Sequence, residues 1–179
     1  MDNYLFESER LGFGEWTMDD LDDLAAMNQD PDVMAYFPAT HSVAYSREFL
    51  LRQQRHFAEN GLCFFRVETR DTSRFIGFLG IQAIPFPASF GPGFEIGWRL
   101  VRQAWGNGYA TEGALRCMTY AHEAAGLGEI YAFTSIHNQR SARVMRKTGM
   151  TCMGTFQHPR MEAGHWLETH VLYHKLLGQ

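Results

Sequence analysis

The segment 94–125 constrains the fold most, because a strand pattern runs through a glycine-spaced turn into a long helical pattern. Hydrophobic side chains alternate with other residues at Phe94, Ile96, Trp98 and Leu100, which predicts a strand. After Gly108, apolar residues recur at three- and four-residue spacing as far as residue 125, which predicts an amphipathic helix. We therefore expect a strand, a tight turn and a helix at the centre of the fold.

The turn at 103–110 predicts an anion-binding site. Gly106 and Gly108 remove Cβ atoms where the first free N–H groups of the helix face outward, and the helix dipole adds positive charge there. A phosphate or pyrophosphate is the natural ligand. A Walker loop needs a lysine at the helix entry, where this chain has Tyr109 and Ala110, and a dinucleotide fingerprint needs a glycine at Thr111, so both motifs match weakly.

The same turn resembles the coenzyme A loop of the GNAT-type N-acetyltransferases, whose pattern is Gln/Arg-x-x-Gly-x-Gly/Ala. Gln103, Gly106 and Gly108 match it. The flanking segments 95–98 (EIGW) and 109–112 (YATE) resemble the RimJ/RimL-like branch, which includes ribosomal-protein N-terminal acetyltransferases. The resemblance extends from about residue 9 to residue 176. It implies an α/β (α+β) GNAT fold in a single domain over 1–179, with acetyl-CoA as the cofactor and a primary amine as the acceptor.

The order of the predicted elements agrees with that fold. The resemblance implies a mixed, mostly antiparallel sheet of about seven strands, splayed at two central strands, with helices on both faces. Those two strands are the segments 95–101 and 130–135. The patterns also predict strands at 9–16, 62–68, 75–84, 151–157 and 166–176, and helices after Thr17 and over 43–60, the second closed by Gly61. The Pro- and Phe-rich loop at 85–93 either caps the acceptor side or is a quiet structural loop.

Composition limits the class of protein and its partners. The chain has 179 residues, 45% of them hydrophobic, which suits one well-packed domain. Its net charge is −4 without a Lys/Arg run, so neither nucleic acid nor an anionic membrane is the expected partner. The N-terminus shows no signal-peptide pattern, and no apolar run is long enough to span a bilayer. We therefore expect a cytoplasmic protein, either a monomer or a homodimer.

The resemblance also implies the site residues. A second matching segment, 137–150, resembles the family's Asn-x-x-Ser/Ala motif at Asn138 and Ser141, but the usual tyrosine position is Met145. The expected pocket for the acceptor includes Tyr36 and Phe37. The other expected pocket residues are Phe49 and Glu95, and the expected cofactor-binding residues are Leu100, Val101, Gln103, Trp105, Gly106, Asn107, Gly108, Tyr109, Ala110, Thr111, Asn138 and Ser141.

The chemistry of acyl transfer to an amine assigns the catalytic roles. A lysine amine costs about 4.6 kcal/mol to deprotonate at pH 7, whereas an α-amine costs only about 1 to 1.4 kcal/mol. Glu95 is the expected general base, acting directly or through water, because it faces away from the aromatic side of its strand and lies before the cofactor loop. The resemblance implies that backbone N–H groups near Leu100 or Val101 polarise the thioester carbonyl. Ser141 is the remaining hydroxyl for the departing thiolate, because Met145 has no proton to donate.

Three alternatives stay open at this level. The first is a non-catalytic domain that binds or senses acyl-CoA, and the second is an NAD- or ATP-binding protein. The third concerns the acceptor, which is a peptide or protein α-amine, a polyamine, an amino acid or an aminoglycoside. No metal site is expected, because His170 and His174 lie about 13 Å apart on a strand, too far to share one ion.

Overall fold

The computed structural model describes residues 4–178, which form one sheet with helices on both faces. The described strands are β1 (Phe6–Glu7), β2 (Leu11–Gly14), β3 (Phe64–Thr69), β4 (Phe75–Ala83), β5 (Phe94–Leu100), β6 (Glu129–Ser135), β7 (Thr151–Gln157) and β8 (Thr169–Leu176). The described α-helices are α1 (Leu21–Gln29), α2 (Val43–Asn60), α3 (Tyr109–Ala125) and α4 (Gln139–Lys147). The predicted α/β fold class, an open and mostly antiparallel sheet in one domain, is confirmed.

The strand order is β1-β2-β3-β4-β5-β6-β8-β7, and β5 and β6 are the parallel neighbours. They share one residue pair, Glu95 with Tyr131, near their N-terminal ends. Beyond that pair the described parts of the two strands do not hydrogen-bond to each other, although each is fully paired on its other side. The sheet is therefore open at its centre, as the splayed pair 95–101 and 130–135 predicts.

The sheet has eight described strands where about seven were expected, because the short strand β1 precedes the first predicted strand, 9–16. The predicted segment 9–16 holds one strand, β2, which is shorter than expected. A tight turn, in which Ser8 N donates to Leu11 O over 2.9 Å, folds β1 back on β2 with Phe6 opposite Phe13. The final strand begins at Thr169 rather than at residue 166. Glu168 N donates to His165 O over 2.8 Å there, which continues the preceding turn.

Two apolar layers fix the helices to the sheet. On one face α3 packs so closely that a Cβ at Gly113 would come within 2.8 Å of the Leu79 side chain. On the other face α1 and α2 cover a second cluster that includes Trp16, Phe64 and Phe78. The α2 helix matches its prediction, since Ser42 caps its start and Gly61 closes it with a φ of 67°. No helix within residues 4–178 is long and apolar enough to cross a membrane.

Candidate active site

The predicted cofactor loop joins β5 to α3 as a compact cradle. A 3-10 turn at Arg102–Ala104 follows the strand, and the Trp105 indole Nε1 donates to Leu100 O over 2.9 Å. Gly106 and Gly108 both have a φ of 81°, in the left-handed region that favours glycine. A Cβ at Gly106 would meet no atom within 4 Å, so the loop presents open backbone at this point.

The first turn of α3 leaves backbone donors free beside these glycines. Gly108 caps the helix, and its carbonyl accepts from the N–H groups of Thr111 and Glu112. The N–H groups of Tyr109 and Ala110 have no intrahelical acceptor, because they precede the first hydrogen-bonded turn. A glycine cradle without Cβ atoms, next to free N–H groups at a helix N-terminus, fits the diphosphate of coenzyme A.

One further backbone N–H group faces the opening between β5 and β6. Val101 N donates to Ile76 O over 3.0 Å, so this N–H is engaged with β4 and is not available to a thioester. In an antiparallel ladder, successive N–H groups point to opposite sides of the strand. The N–H of Leu100 therefore points toward the gap on the β6 side, which makes Leu100 the better of the two predicted donors.

The start of α4 borders the same gap from the β6 side. Asn138 caps the helix by accepting from Ser141 N over 3.2 Å, and its Nδ2 donates to Thr134 Oγ1 over 3.1 Å. The Ser141 side chain is half-buried. Across the gap, the Arg140 guanidinium lies 4.6 Å from the centre of the Trp105 ring. The fold thus brings the two predicted cofactor segments, 103–111 and 138–141, next to each other.

Glu95 lies on the face of β5 opposite Ile96 and Leu100, where it accepts a hydrogen bond from Gln82 Nε2 over 2.7 Å. Burial raises the pKa of Glu95 to about 7, although the Gln82 hydrogen bond and the charge of Arg160 both act to lower it. A carboxyl with this pKa exchanges protons near neutral pH. Acceptance of a proton near neutral pH is the property that a general base requires.

The three aromatic residues predicted for the acceptor pocket have different surroundings. Tyr36 is half-buried, and its ring lies 6.5 Å from that of Trp166. Phe37 is 37% exposed and covers the Arg99 guanidinium at 4.1 Å. Phe49 is only 6% exposed and packs on the Trp16 ring in the core. Tyr36 and Phe37 therefore border the accessible face, whereas Phe49 supports it from beneath.

Met145, at the family's usual tyrosine position, is 1% exposed and belongs to the main core. Its thioether has no proton to give, and its side chain has no access to solvent. Ser141 lies one helical turn earlier, at the surface of the gap.

Within residues 4–178, no group of three or more His, Cys, Asp or Glu side chains is arranged to hold a metal ion.

Sequence reasoning missed the side chains that surround Glu95. Gln82 is its hydrogen-bond partner from β4, and the charge of Arg160, from the loop before β8, acts on its pKa. The loop at 85–93 covers this face, with Phe86 against Phe133 at 5.6 Å and Phe90 against Tyr131 at 5.1 Å. Of these, only the Phe-rich loop had a sequence signal, because it was expected to cap the acceptor side or to be structural.

Comparison with known proteins agrees with this geometry. Residues 10–151 match the family model described as "Acetyltransferase (GNAT) domain". A Bacillus subtilis relative, the uncharacterized protein YkkB, is 34% identical over 121 residues, which cover 68% of this chain and 69% of that protein.

Solved structures share the whole fold. A GNAT-family acetyltransferase from Bacillus anthracis aligns with a TM-score of 0.79 at 23% identity, covering 95% of this chain and 96% of that one. The ribosomal-protein-S5-alanine acetyltransferase of Vibrio fischeri aligns with a TM-score of 0.76 at 20% identity, covering 97% of each chain. The family match over most of the chain, together with the cofactor cradle, shows that this protein belongs to the GNAT acetyltransferases, the acyltransferases that use acetyl-CoA.

Proposed function

We propose that the protein transfers the acetyl group of acetyl-CoA directly to a primary amine, either a peptide or protein N-terminal α-amine or that of a small molecule. The observation that carries the proposal is the carboxyl of Glu95, which lies beside the central opening of the sheet with its pKa raised to about 7. The likeness to a ribosomal-protein acetyltransferase and the EIGW and YATE segments support a RimJ/RimL-like activity on α-amines.

The cofactor supplies a thioester, whose acetyl group is open to attack by an unprotonated amine. The described residues 103–111 would hold its diphosphate through backbone N–H groups, and the N–H of Leu100 would donate to the carbonyl oxygen. No charged side chain of the loop is needed for either task. The glycines at 106 and 108 serve by leaving the backbone open.

Glu95 would accept the proton of the attacking amine at a carboxylate oxygen, directly or through one water. A carboxyl with a pKa near 7 is well matched to an α-amine, whose pKa is about 7.7 to 8.0. The same base is poorly matched to a lysine side chain, whose pKa is about 10.4. This difference supports an α-amine, or a small amine of similarly low pKa, as the acceptor.

Ser141 would return a proton to the departing thiolate. Its hydroxyl lies at the half-buried start of α4, on the border of the gap, whereas Met145 is sealed in the core. The position of Asn138, which accepts from Ser141 N, fixes the backbone that carries this hydroxyl.

Two buried free thiols, Cys63 and Cys117, support a cytoplasmic location.

Thiol release from acetyl-CoA by the purified protein tests the proposal. The acceptor panel contains N-terminal peptides, amino acids, diamines and aminoglycosides, and a reaction without acceptor is the control. We expect acceptor-dependent release with kcat/KM rising through pH 7, because the base acts only when it is deprotonated. Glu95→Gln should lower kcat/KM at least tenfold, and Glu59→Gln, at an exposed position on α2, should not. A loss below about threefold in Glu95→Gln would remove Glu95 from the mechanism.

A further inference from the structure

A second charged side chain lies on the same face of β5 as Glu95. The Arg99 side chain is half-buried, and its Nη1 donates to Asn28 Oδ1 over 2.6 Å. Its guanidinium carbon lies 4.1 Å from the centre of the Phe37 ring and 5.2 Å from that of Phe78. The Nε–H group is screened from solvent, and no described residue accepts a hydrogen bond from it. Arg99 is therefore held by one neutral amide and two rings, with donors to spare.

No carboxylate within residues 4–178 forms an ion pair with Arg99. The contrast is Arg66 on β3, which is paired with both Asp20 and Glu68. Burial lowers the pKa of Arg99 to about 10, and only Tyr45 acts in the opposite direction. A guanidinium withdrawn from water without a counterion is unusual, because buried charges are normally paired.

Among the described residues, no negative charge compensates that of Arg99. Burial and the Arg99 charge both lower the pKa of His41, so this ring is neutral at pH 7, and it stacks on Tyr45 at 3.7 Å. Arg160, which donates to Pro85 O, adds a second positive charge that acts on Glu95. The acceptor side of the site therefore combines two arginines with one carboxyl that is only partly ionised at pH 7. Such a field attracts an anion and repels a polycation.

The spacing of Glu95 and Arg99 allows them to contact two different groups of one acceptor molecule. They are four residues apart on one face of β5, so their Cα atoms are about 13 Å apart. We propose that Arg99 binds an anionic group of the acceptor, a carboxylate or a phosphate, while the acceptor's amine is directed to Glu95. The inference rests on the proposed function and narrows it to amines that carry a negative charge at a distance from the reacting nitrogen.

A purely structural role leaves most of this arrangement unexplained. The hydrogen bond to Asn28 uses one of five N–H groups of the guanidinium, and Asn28 is already tied to α2 through Ser46 Oγ at 2.9 Å. A guanidinium offers planar, paired donors that suit carboxylate and phosphate oxygens. An anionic acceptor would supply the missing counterion, and a neutral or cationic one would not.

The test compares matched acceptors in the wild-type protein, so it does not depend on a variant that folds. The pairs are glycylglycine with glycylglycinamide, and phosphoethanolamine with ethanolamine. The measurements are kcat/KM for thiol release and, by calorimetry, affinity for the protein saturated with coenzyme A. We expect the anionic member of at least one pair to be favoured at least tenfold in both. The pair that responds distinguishes a carboxylate from a phosphate.

Two variants separate anion binding from structural support. Arg99→Gln should reduce kcat/KM and affinity for the favoured anionic acceptor at least tenfold, leave its neutral partner within threefold, and leave KM for acetyl-CoA unchanged. Arg55→Gln, at an exposed position on α2, should change none of these.

Three results would overturn the assignment of Arg99. The first is equal binding of the anionic and neutral members in every pair, and the second is a preference for the neutral members. The third is an equal loss of kcat/KM and affinity for both members in Arg99→Gln. If neutral amines are acetylated without an anionic preference, only this inference fails. If no amine in any panel releases thiol, the proposed function fails as well, and the binding comparison still decides the role of Arg99.

Discussion

Arg10 and Glu112 form a paired contact that ties the turn between β1 and β2 to the first turn of α3. Arg10 Nε and Nη2 each lie 2.7 Å from Glu112 Oε2, while Arg10 N and Ser8 Oγ both donate to Oε1. Arg10 Nη1 also donates to Asn107 O in the cofactor loop over 3.0 Å. One carboxylate therefore holds in place the arginine that steadies the glycine cradle.

Removing the charge of Glu112 should loosen that cradle. We expect Glu112→Gln to raise KM for acetyl-CoA threefold to tenfold with kcat changed less than twofold, because bonds to a charged group are lost outside the reacting centre. Glu123→Gln, near the other end of the same helix at 65% side-chain exposure, is the control. Initial rates at varied acetyl-CoA measure both. An unchanged KM in Glu112→Gln would mean that the loop holds its shape without Arg10.

The conformation of Gly108 makes a separate prediction about the loop. A Cβ at a φ of 81° is strained, so we expect Gly108→Ala to destabilise the fold by about 1 to 2 kcal/mol and to raise KM for acetyl-CoA at least tenfold. Gly128→Ala is the matched control, because Gly128 lacks a positive φ and a methyl group added there would have no atom within 4 Å. Urea unfolding and initial rates measure the two effects. Equal stability of the two variants would contradict the strain.

Elements set by neighbouring residues could be read from the sequence, and contacts between distant residues could not. The bounds of α2 follow from Ser42 and Gly61, and the cofactor loop follows from a glycine spacing, so both predictions needed only local patterns. The short strand β1 was missed because it has only two residues, and the turn at 8–11 that pairs it with β2 depends on the Ser8 side chain.

The environment of Glu95 shows the same limit at the candidate site. Alternation on β5 assigns Glu95 and Arg99 to one face, but their different partners come from other parts of the chain. Gln82 is 13 residues away from Glu95, and Asn28 is 71 residues away from Arg99. No periodicity in a single sequence predicts that the charge of Arg160 acts on Glu95, or that Arg99 has no counterion among residues 4–178.

Substitutions at Ser141 and Asn138 should distinguish a role in catalysis from a role in capping α4. We expect Ser141→Ala to lower kcat about tenfold or more with stability within about 0.5 kcal/mol, because it removes a hydroxyl at a half-buried position. Asn138→Ala removes the cap of α4 and should cost about 1 kcal/mol of stability. Rates at saturating substrates and urea unfolding measure the two quantities. A Ser141→Ala variant with unchanged kcat at every pH would leave water as the proton source for the thiolate.

Glu95 should also make the stability of the protein depend on pH. Its folded pKa is raised to about 7, whereas an unfolded glutamate titrates near 4.3, so the folded state binds the proton more tightly. Its contribution to stability is therefore greatest below about pH 4.3 and is lost as the pH rises toward 7. Glu95→Gln, which cannot ionise, should escape this loss. We expect its free energy of unfolding relative to wild type to increase by about 1 to 3 kcal/mol between pH 4.5 and pH 8.

Urea unfolding of both proteins across that range measures the difference, with Glu123→Gln as the exposed control. The comparison is independent of acetyl-CoA and of any acceptor, so it reports on the carboxyl alone. A difference between Glu95→Gln and wild type that stays constant with pH would show that Glu95 ionises normally. Glu95 would then be fully charged at pH 7, and the match between its pKa and that of an α-amine would no longer support an α-amine acceptor.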